Sequence, residues 1–487
     1  MERWNRVVLI AGVLAIASYA VFLRRNLSFA AGGPDSGGYM NEARLIAAGR
    51  MTRPVELVRV FGLDDSWLGY FMPLGFAPSK GAAMHATYPP GLPMHLALAA
   101  RIGGWKHAPF YIAPLAAIGC LILMVAVATR LGVPPLLSFA GAAILGALPP
   151  FLWHAVQPAS DVLATFWALL AIWFALGSRD RPWLAIAAGV AFAIGVWVRP
   201  TNVLLGFPLL FAVRIRWKSL INIAIGGLPF AVALMWWGAR LYGSPFRTGY
   251  GAIDFSWAGA MSAAPQHAEW LLRFMSVLIF PAGLFVVFDR FVDGWTRAML
   301  AVWFVVFLFF YSLYGFFDGW LCVRFLLPAI PALIIGTLLL VRDLYRLGTR
   351  WNRPVAAAIA LLLVVWIGYA PIHWTGKLGI LPQLKTIEIS YPRYIAWAEG
   401  RLPRRAVIVT GVLSGPFLYY ADRPIVRYDQ LNDDRFQILR AYAGIHDLPW
   451  YAVMSDEEID LQGLRQRFRG DWQLVDHWND VTIYRLE

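Results

Sequence analysis

The stretch APFYIAPLAAIGCLILMVAVAT, residues 108–129, decides the fold, because it contains no charged side chain. A helix of about 20 apolar residues is long enough to cross the hydrocarbon core of a bilayer. Arg130 follows the run directly, and a cationic residue at the end of an apolar helix is typical of the boundary between lipid and water. The stretch therefore predicts a transmembrane helix.

The composition extends this prediction to the whole chain. Of its 487 residues, 59% are hydrophobic and 15% are charged, whereas soluble domains carry about 25% charged residues. The 23 Trp, 31 Phe and 19 Tyr residues suit a chain that crosses membrane interfaces many times. These values exclude a disordered, a collagen-like and a water-soluble protein. The net charge of +13 lies largely in short loops, where it sets orientation and does not indicate nucleic-acid binding.

Eleven apolar runs match the length of a membrane-spanning helix, so we expect a polytopic α-helical membrane protein. The two short runs on either side of Arg199 and Pro200 also fit one broken or re-entrant pair. The predicted spans lie near residues 7–23, 108–129, 135–153, 159–177, 183–198, 202–213, 219–239, 271–288, 298–315, 326–341 and 355–370.

The Lys and Arg residues of the short loops predict the orientation of the spans, because they are more frequent on the cytoplasmic side. We assume a cytoplasmic amino terminus in the inner (plasma) membrane of a bacterium. The cytoplasmic side then holds fourteen of them: Arg3, Arg6, Arg130, Arg179, Arg181, Arg214, Arg216, Lys218, Arg290, Arg297, Arg342, Arg346, Arg350 and Arg353. The other side holds five: Arg199, Arg240, Arg247, Arg273 and Arg324.

Two long regions fall outside the membrane on the non-cytoplasmic side. The first is the outer loop, residues 24–107, which shows helical patterns at 37–48 and 90–102. These helices either lie along the bilayer surface or close the top of the bundle. The second is the tail from residue 371, which we predict to be periplasmic or extracellular. The expected domains are a transmembrane domain, 1–370, which includes the outer loop, and a soluble α/β domain, 371–487.

The tail alternates strand patterns with helix patterns, which is typical of a small α/β domain. The strands are predicted at 406–410, 424–427, 450–454, 472–477 and 481–486, and the helices at 415–421, 433–442 and 457–468. Gly411 and Gly415 after the first strand do not form a dinucleotide-binding motif.

Asp35 is the leading candidate for chemistry, in the run Gly32-Gly-Pro-Asp-Ser-Gly-Gly-Tyr39. Its carboxylate either caps a helix or forms part of a turn, or it acts as a general base beside glycines that let substrate approach. The residue types alone leave these alternatives open.

Other ionisable or hydroxyl-bearing side chains gather on the same face, where each is a functional candidate because burying it in the membrane is costly. Lys80, His85 and Tyr88 would contact a phosphate, although the run from His85 to Gly91 also makes a rigid helix start. Asp161 either caps a helix or serves a site, while Arg199 and Arg324 either reach toward the membrane surface or bind an anion. The candidate binding residues are Tyr39, Glu42, Lys80, His85, Tyr88, Asp161, Arg199 and Arg324.

Taken in order, these segments resemble the polytopic GT-C glycosyltransferases, the superfamily that includes protein O-mannosyltransferases and lipid A aminoarabinose transferases. The likeness covers nearly the whole chain as architecture. It rests on Asp35-Ser-Gly-Gly-Tyr39, Tyr88-Pro-Pro-Gly91, Arg199-Pro-Thr201, Tyr242-Gly-Ser-Pro-Phe-Arg-Thr-Gly-Tyr250 and Arg324-Phe-Leu-Leu-Pro328. Where the family often has an acidic pair, Asp35 is followed by Ser36, so the need for a divalent cation stays open.

The resemblance implies that a donor sugar arrives on polyprenyl phosphate and moves to a lipid, glycan or protein acceptor. Asp35 would deprotonate the acceptor hydroxyl, and displacement at the anomeric carbon would invert its configuration. Cations would stabilise the departing phosphate, and the candidates are Lys80, His85, Arg199 and Arg324.

Two other classes of protein compete with this interpretation. A transporter or lipid flippase would also contain broken helices and ionisable groups, but here the charges gather at one face and no repeated halves are visible. A non-catalytic assembly scaffold predicts that Asp35 is dispensable. The sequence has no zinc motif, P-loop or nucleophile elbow, which argues against a metalloprotease, an ATP-driven pump and a serine hydrolase.

Overall fold

The computed structural model describes residues 2–251, 255–314 and 319–487. The chain forms two compact units. Unit 1 consists of Met1–Leu27, Tyr111–Trp236 and Ala252–Leu384, and unit 2 consists of Ser28–Phe110, Trp237–Gly251 and Lys385–Glu487. The outer loop therefore packs with the tail. The predicted domains, 1–370 and 371–487, place that loop in the transmembrane domain. The packing of the loop with the tail was not predicted, because local sequence patterns do not report contacts between distant segments.

The chain is mainly helical. Numbered along the chain, the α-helices are α1 (Glu2–Asn26), α2 (Pro34–Ala47), α3 (Glu56–Val60), α4 (Gly91–Gly103), α5 (Ile112–Arg130), α6 (Pro135–Ala147), α7 (Pro149–His154), α8 (Ser160–Gly177), α9 (Leu184–Val198), α10 (Gly206–Ala212), α11 (Trp217–Tyr242), α12 (Trp257–Ile279), α13 (Gly294–Leu313), α14 (Ile330–Gly348), α15 (Arg353–Lys377), α16 (Ile380–Glu399), α17 (Ser414–Pro416), α18 (Asp433–Ile445) and α19 (Leu461–Arg467). Short 3-10 helices lie at Asp65–Phe71, Ala108–Tyr111, Pro200–Leu205, Ala282–Phe288 and Trp320–Leu326, and a π-helical turn lies at Phe417–Ala421.

All eleven predicted spans correspond to helical segments, but they differ in length. Six described helices are long and apolar enough to cross a membrane: Arg6–Asn26, Ala108–Arg130, Ser160–Gly177, Trp217–Tyr242, Gly294–Leu313 and Arg353–Lys377. Two bent pairs, Gly259–Ile279 with Ala282–Phe288 and Trp320–Leu326 with Ile330–Gly348, raise the number to eight if each pair is one span. The three shorter apolar helices are Pro135–Ala147, Leu184–Val198 and Pro200–Ala212. The described residues thus contain six to eight candidate spans, and a count of eleven is not confirmed.

Helix α8 in unit 1 carries polar contacts at both ends. Asp161 in its first turn pairs with Arg199, while Asp180 just beyond its last turn pairs with Arg130. The helix has 18 residues, which corresponds to about 27 Å at 1.5 Å per residue. This length is close to the hydrocarbon thickness of a bilayer, about 30 Å. The residues between these polar ends are almost all apolar, as a transmembrane helix requires.

The tail of unit 2 has the predicted α/β structure. The outer loop contains the first three strands, β1 (Thr52–Pro54), β2 (Phe76–Ser79) and β3 (Ala83–Ala86). The strands of the tail are β4 (Val407–Thr410), β5 (Ile425–Arg427), β6 (Trp450–Ser455), β7 (Trp472–Trp478) and β8 (Val481–Leu486). They form one sheet in the order β5-β4-β6-β8-β7. Strand β4 pairs in parallel with β5 and β6, while β8 pairs antiparallel with β6 and β7. The helix predicted at 457–468 covers only Leu461–Arg467 in the structure. It starts later because Asp460 caps it by accepting a hydrogen bond from the Gly463 amide.

The outer loop contains the two predicted helices, as α2 and α4. It also contains a small antiparallel sheet of β1 (Thr52–Pro54), β2 (Phe76–Ser79) and β3 (Ala83–Ala86), in the order β1-β3-β2. These strands of three or four residues are too short to show a clear alternating pattern. Buried side chains of the outer loop, such as Phe61 and Trp67, share one hydrophobic core with Phe436 and Trp450 of the tail.

Candidate functional site

Asp35 stands at the second residue of α2, and the position that caps the helix belongs to Gly33, which has no side chain to do so. The capping interpretation of Asp35 is therefore wrong. Its carboxylate Oδ1 instead accepts a hydrogen bond of 3.0 Å from the Tyr88 hydroxyl. A carboxylate in the first turn of a helix is also stabilised by the helix dipole. Asp35 is half-buried, so its carboxylate is held in place while part of it stays accessible.

Tyr88 is buried. Its ring packs so closely against the backbone at Gly38 and Gly75 that only a residue without a Cβ leaves room for it. A Cβ added at Gly38 would lie 2.2 Å from Tyr88 Cε2, and one at Gly75 would lie 2.5 Å from the same atom. The Tyr39 ring also contacts the Tyr88 ring, with centroids 4.4 Å apart. Gly38 and Gly75 thus give space to the tyrosine that holds Asp35, which is a close approach of protein to protein.

We expect Gly38→Ala to lower the free energy of unfolding. This is the opposite of the usual effect inside a helix, where Ala is more stabilising than Gly by about 1 kcal/mol. The added methyl group would displace the Tyr88 ring, and overpacking of this kind costs about 1–3 kcal/mol. Thermal unfolding of the purified protein measures the change. Gly69→Ala is the matched control, because a Cβ at Gly69 meets nothing within 4 Å. Equal stability of the two variants would contradict the proposed packing.

Glu42 and His85 both lie near Tyr242 in unit 2. Glu42 is buried, and burial raises the pKa of its carboxyl well above the usual range. The His85 ring makes an edge contact with the Tyr242 ring at 5.2 Å, and its Nδ1 lies 3.0 Å from the Ala86 carbonyl oxygen. Lys80 is exposed in the turn between β2 and β3, and no described hydrogen bond or ion pair joins it to Asp35. The predicted loop residues therefore form an Asp35–Tyr39–Tyr88 cluster, a second group around Tyr242 and an exposed lysine.

The remaining predicted residues meet in unit 1. Asp161 is the second residue of α8, and Ala159 occupies the cap position, so the capping interpretation is wrong here as well. Arg199 Nη2 donates a hydrogen bond of 2.8 Å to Asp161 Oδ1, and His154 Nε2 lies 3.9 Å from Asp161 Oδ2. The Asp161 side chain is 3% exposed and that of Arg199 is 11% exposed. Asp161 thus forms a buried ion pair with Arg199.

Arg324 belongs to the same cluster. Its Nη1 lies 3.5 Å from His154 Nε2. The guanidinium carbons of Arg199 and Arg324 lie 5.2 and 5.0 Å from the centroid of the Phe325 ring. Two guanidinium groups against one carboxylate leave a net positive charge, and arginines are well suited to binding an anion such as phosphate. Asp161, Arg199 and Arg324 thus lie together in unit 1.

Sequence reasoning missed His154 and Glu388, which contact these predicted residues or their neighbours in the chain. His154 ends α7 within an apolar run, and the cost of an ionisable group at membrane depth was a signal for it. Glu388 lies in α16, which was not predicted because Pro392 interrupts the helical pattern and proline normally ends helices. Its partners Gly32 and Ser36 lie more than 350 positions earlier in the chain, so no local pattern indicated the contact.

The described residues contain no group of three or more His, Cys, Asp and Glu side chains arranged to hold a metal ion. The mechanism proposed below includes no step that depends on a metal ion.

The comparisons with solved structures identify the fold. The chain is similar to ArnT from Cupriavidus metallidurans bound to undecaprenyl phosphate, with 12% identity, 97% of each chain covered and a TM-score of 0.59. It is also similar to the oligosaccharyltransferase of Archaeoglobus fulgidus in the apo form, with 12% identity, 94% of this chain and 70% of that chain covered, and a TM-score of 0.56. No family model and no curated protein matches the chain. The chain therefore shares its fold with these two proteins, and this agrees with the fold that the resemblance in its sequence predicted.

Proposed function

We propose that this chain is a membrane glycosyltransferase that moves a sugar from polyprenyl phosphate to a hydroxyl group of a lipid, glycan or protein in the cell envelope. The observation that carries the proposal is the half-buried Asp35 carboxylate, which Tyr88 holds at the start of α2 on a GT-C fold. The ArnT structure, which shares this fold, is bound to undecaprenyl phosphate. A transporter has no evident use for a carboxylate held in this way.

In the proposed reaction Asp35 acts as the general base. Its carboxylate takes the proton of the acceptor hydroxyl while the hydroxyl oxygen bonds to the anomeric carbon of the sugar. The bond between that carbon and the phosphate oxygen breaks, and polyprenyl phosphate leaves. Attack on the side opposite the leaving group inverts the configuration. The hydrogen bond from Tyr88 fixes the carboxylate, since a base must lie within hydrogen-bonding reach of the proton that it removes.

Negative charge grows on the phosphate oxygen as the bond breaks, and fixed cations lower the energy of that transition state. The cluster of unit 1 has the net positive charge that binds an anion, so we propose Arg199 and Arg324 as phosphate-binding residues of that unit. The buried carboxylate of Asp161 orients Arg199 through the 2.8 Å hydrogen bond. In unit 2, His85 and Lys80 are the candidates for contacting the phosphate or the sugar.

The test of this proposal is transfer of a labelled sugar from polyprenyl-phosphate donors to cell-envelope acceptors in membranes that contain the protein. Both hexosyl and pentosyl donors are offered, because the residues do not distinguish them. We expect label to leave one donor and to appear on an acceptor. Absence of transfer from every donor would contradict the proposal.

The proposal places the reaction on the side of the membrane opposite the amino terminus. The excess of Lys and Arg in the predicted cytoplasmic loops supports this orientation in a bacterial inner membrane. A reporter fused after Glu487 that works only outside the cytoplasm is therefore expected to be active. A reporter that works only in the cytoplasm is the control, and activity of that fusion would reverse the orientation.

A further inference from the structure

We propose that Glu388, in helix α16 of the tail, is a positioning residue for Asp35. It would act by holding the backbone from which α2 starts, so the inference rests on the role proposed for Asp35. The tail would then keep the catalytic helix in place, whatever else it contacts.

The contacts of Glu388 are specific. Its Oε2 accepts a hydrogen bond of 2.7 Å from the Gly32 amide and one of 2.8 Å from the Ser36 hydroxyl. Glu388 is 3% exposed. Ser36 directly follows Asp35, and its Oγ also lies 3.2 Å from the Gly32 amide. One carboxylate oxygen thus joins the residues just before α2 to the residue next to the proposed base.

The start of α2 needs such a partner. The first amides of a helix have no partner within it, and a side chain at the cap position commonly supplies one. Gly33 occupies that position and offers no side chain. Glu388 joins the Gly32 amide just before the helix to the Ser36 hydroxyl in its first turn, where the dipole of α2 favours a carboxylate. Without Glu388 the first turn would lose its anchor.

The tail holds α2 at two further points. Asn41 Nδ2 donates a hydrogen bond of 3.1 Å to the Gly415 carbonyl oxygen in the middle of the helix. Near its end, Arg44 bonds to the Tyr419 carbonyl oxygen and places its guanidinium carbon 3.7 Å from the centroid of the Tyr419 ring. Glu388 is the contact nearest to Asp35, so its loss should disturb the base more than the rest of the helix.

Burial raises the pKa of the Glu388 carboxyl, which favours the neutral form, while hydrogen bonds from Ser36 and Gly32 lower it. Both hydrogen bonds go to the same oxygen, Oε2, so a neutral side chain with an oxygen in that place should keep them. Glu388→Gln keeps an oxygen that can accept both hydrogen bonds, and Glu388→Ala removes it. The two variants separate the positioning role from a role for the charge.

The experiment combines two measurements on the full-length protein in detergent or lipid. Hydrogen–deuterium exchange of the segment 28–39 should become about tenfold faster in Glu388→Ala, because a buried hydrogen bond of this kind contributes about 1.4 kcal/mol. The same variant should lose about 10- to 100-fold in kcat for sugar transfer, with donor KM changed less than about threefold, since small misplacement of a catalytic group has effects of this size. In Glu388→Gln, the exchange rate of residues 28–39 and the kcat for sugar transfer should both stay within about threefold of the wild-type values. Glu457→Ala, which alters an exposed carboxylate of the same unit, is the control and should match wild type.

Unchanged exchange in Glu388→Ala would overturn the inference, as would faster exchange with wild-type kcat. Failure of Glu388→Gln to restore transfer would show that the charge matters and would also overturn it. If the wild-type protein transfers no sugar, the proposed function fails, and the positioning role fails with it. The exchange result then still decides whether Glu388 orders the start of α2.

Discussion

Membranes that contain Asp35→Asn at wild-type abundance are expected to transfer sugar about a thousandfold more slowly than wild-type membranes. Removal of a general base typically costs about 10²- to 10⁴-fold in rate. The Asn amide cannot take the proton of the acceptor, but its oxygen can still accept the hydrogen bond from Tyr88. The fold should therefore stay intact, and thermal unfolding of the purified variant should match wild type.

Asp434→Asn is the matched control for this variant. Its side chain is 88% exposed and lies in the same unit, so we expect wild-type transfer. Undiminished transfer by Asp35→Asn would show that Asp35 is not the general base and has only a structural role. It would also strengthen the interpretation of the chain as a non-catalytic scaffold.

The second large effect concerns stability. Asp161→Asn should destabilise the protein by about 3–5 kcal/mol, because removal of one partner leaves the other charge buried without compensation. The Asp161 side chain is 3% exposed and bonds to Arg199 at 2.8 Å. Denaturant or thermal unfolding in a mild detergent measures the change.

Asp180→Asn is the control, because it breaks another Asp–Arg pair in the same unit. The Asp180 side chain is 72% exposed, and exposed pairs contribute about 0–1 kcal/mol. Similar losses in the two variants would show that Asp161 and Arg199 do not form a buried pair. A smaller loss in the double variant Asp161→Asn with Arg199→Gln than in Asp161→Asn alone would support the explanation, since the uncompensated charge is then gone.

Much of the fold follows from the sequence because long apolar runs have few alternatives in a membrane. The eleven runs became helices, and each predicted strand of the tail lies within two residues of an observed strand. The small sheet of the outer loop was not predicted, because its strands are three or four residues long. Helix α16 was not predicted either, because its prolines contradict the helical pattern that its length and packing impose.

The sequence indicated which residues belong to the candidate site, but it did not indicate which of them contact one another. Asp35 and Tyr88 were both proposed, yet their hydrogen bond spans 53 positions of the chain, and that of Asp161 with Arg199 spans 38. The sequence also left open whether each aspartate caps its helix. In the structure each aspartate lies two residues after the cap position, which Gly33 and Ala159 occupy. Residue preferences cannot locate a helix start to within two residues, so the sequence could not decide this point.

The proposed activity is best tested with the purified protein in liposomes that contain a labelled polyprenyl-phosphate sugar and a hydroxyl-bearing acceptor. We expect label to move to the acceptor, unlabelled polyprenyl phosphate to accumulate in equal amount, and both changes to disappear with Asp35→Asn. Movement of the intact labelled lipid between leaflets, with no cleavage of any donor offered, would contradict the proposed transferase and identify a transporter or flippase.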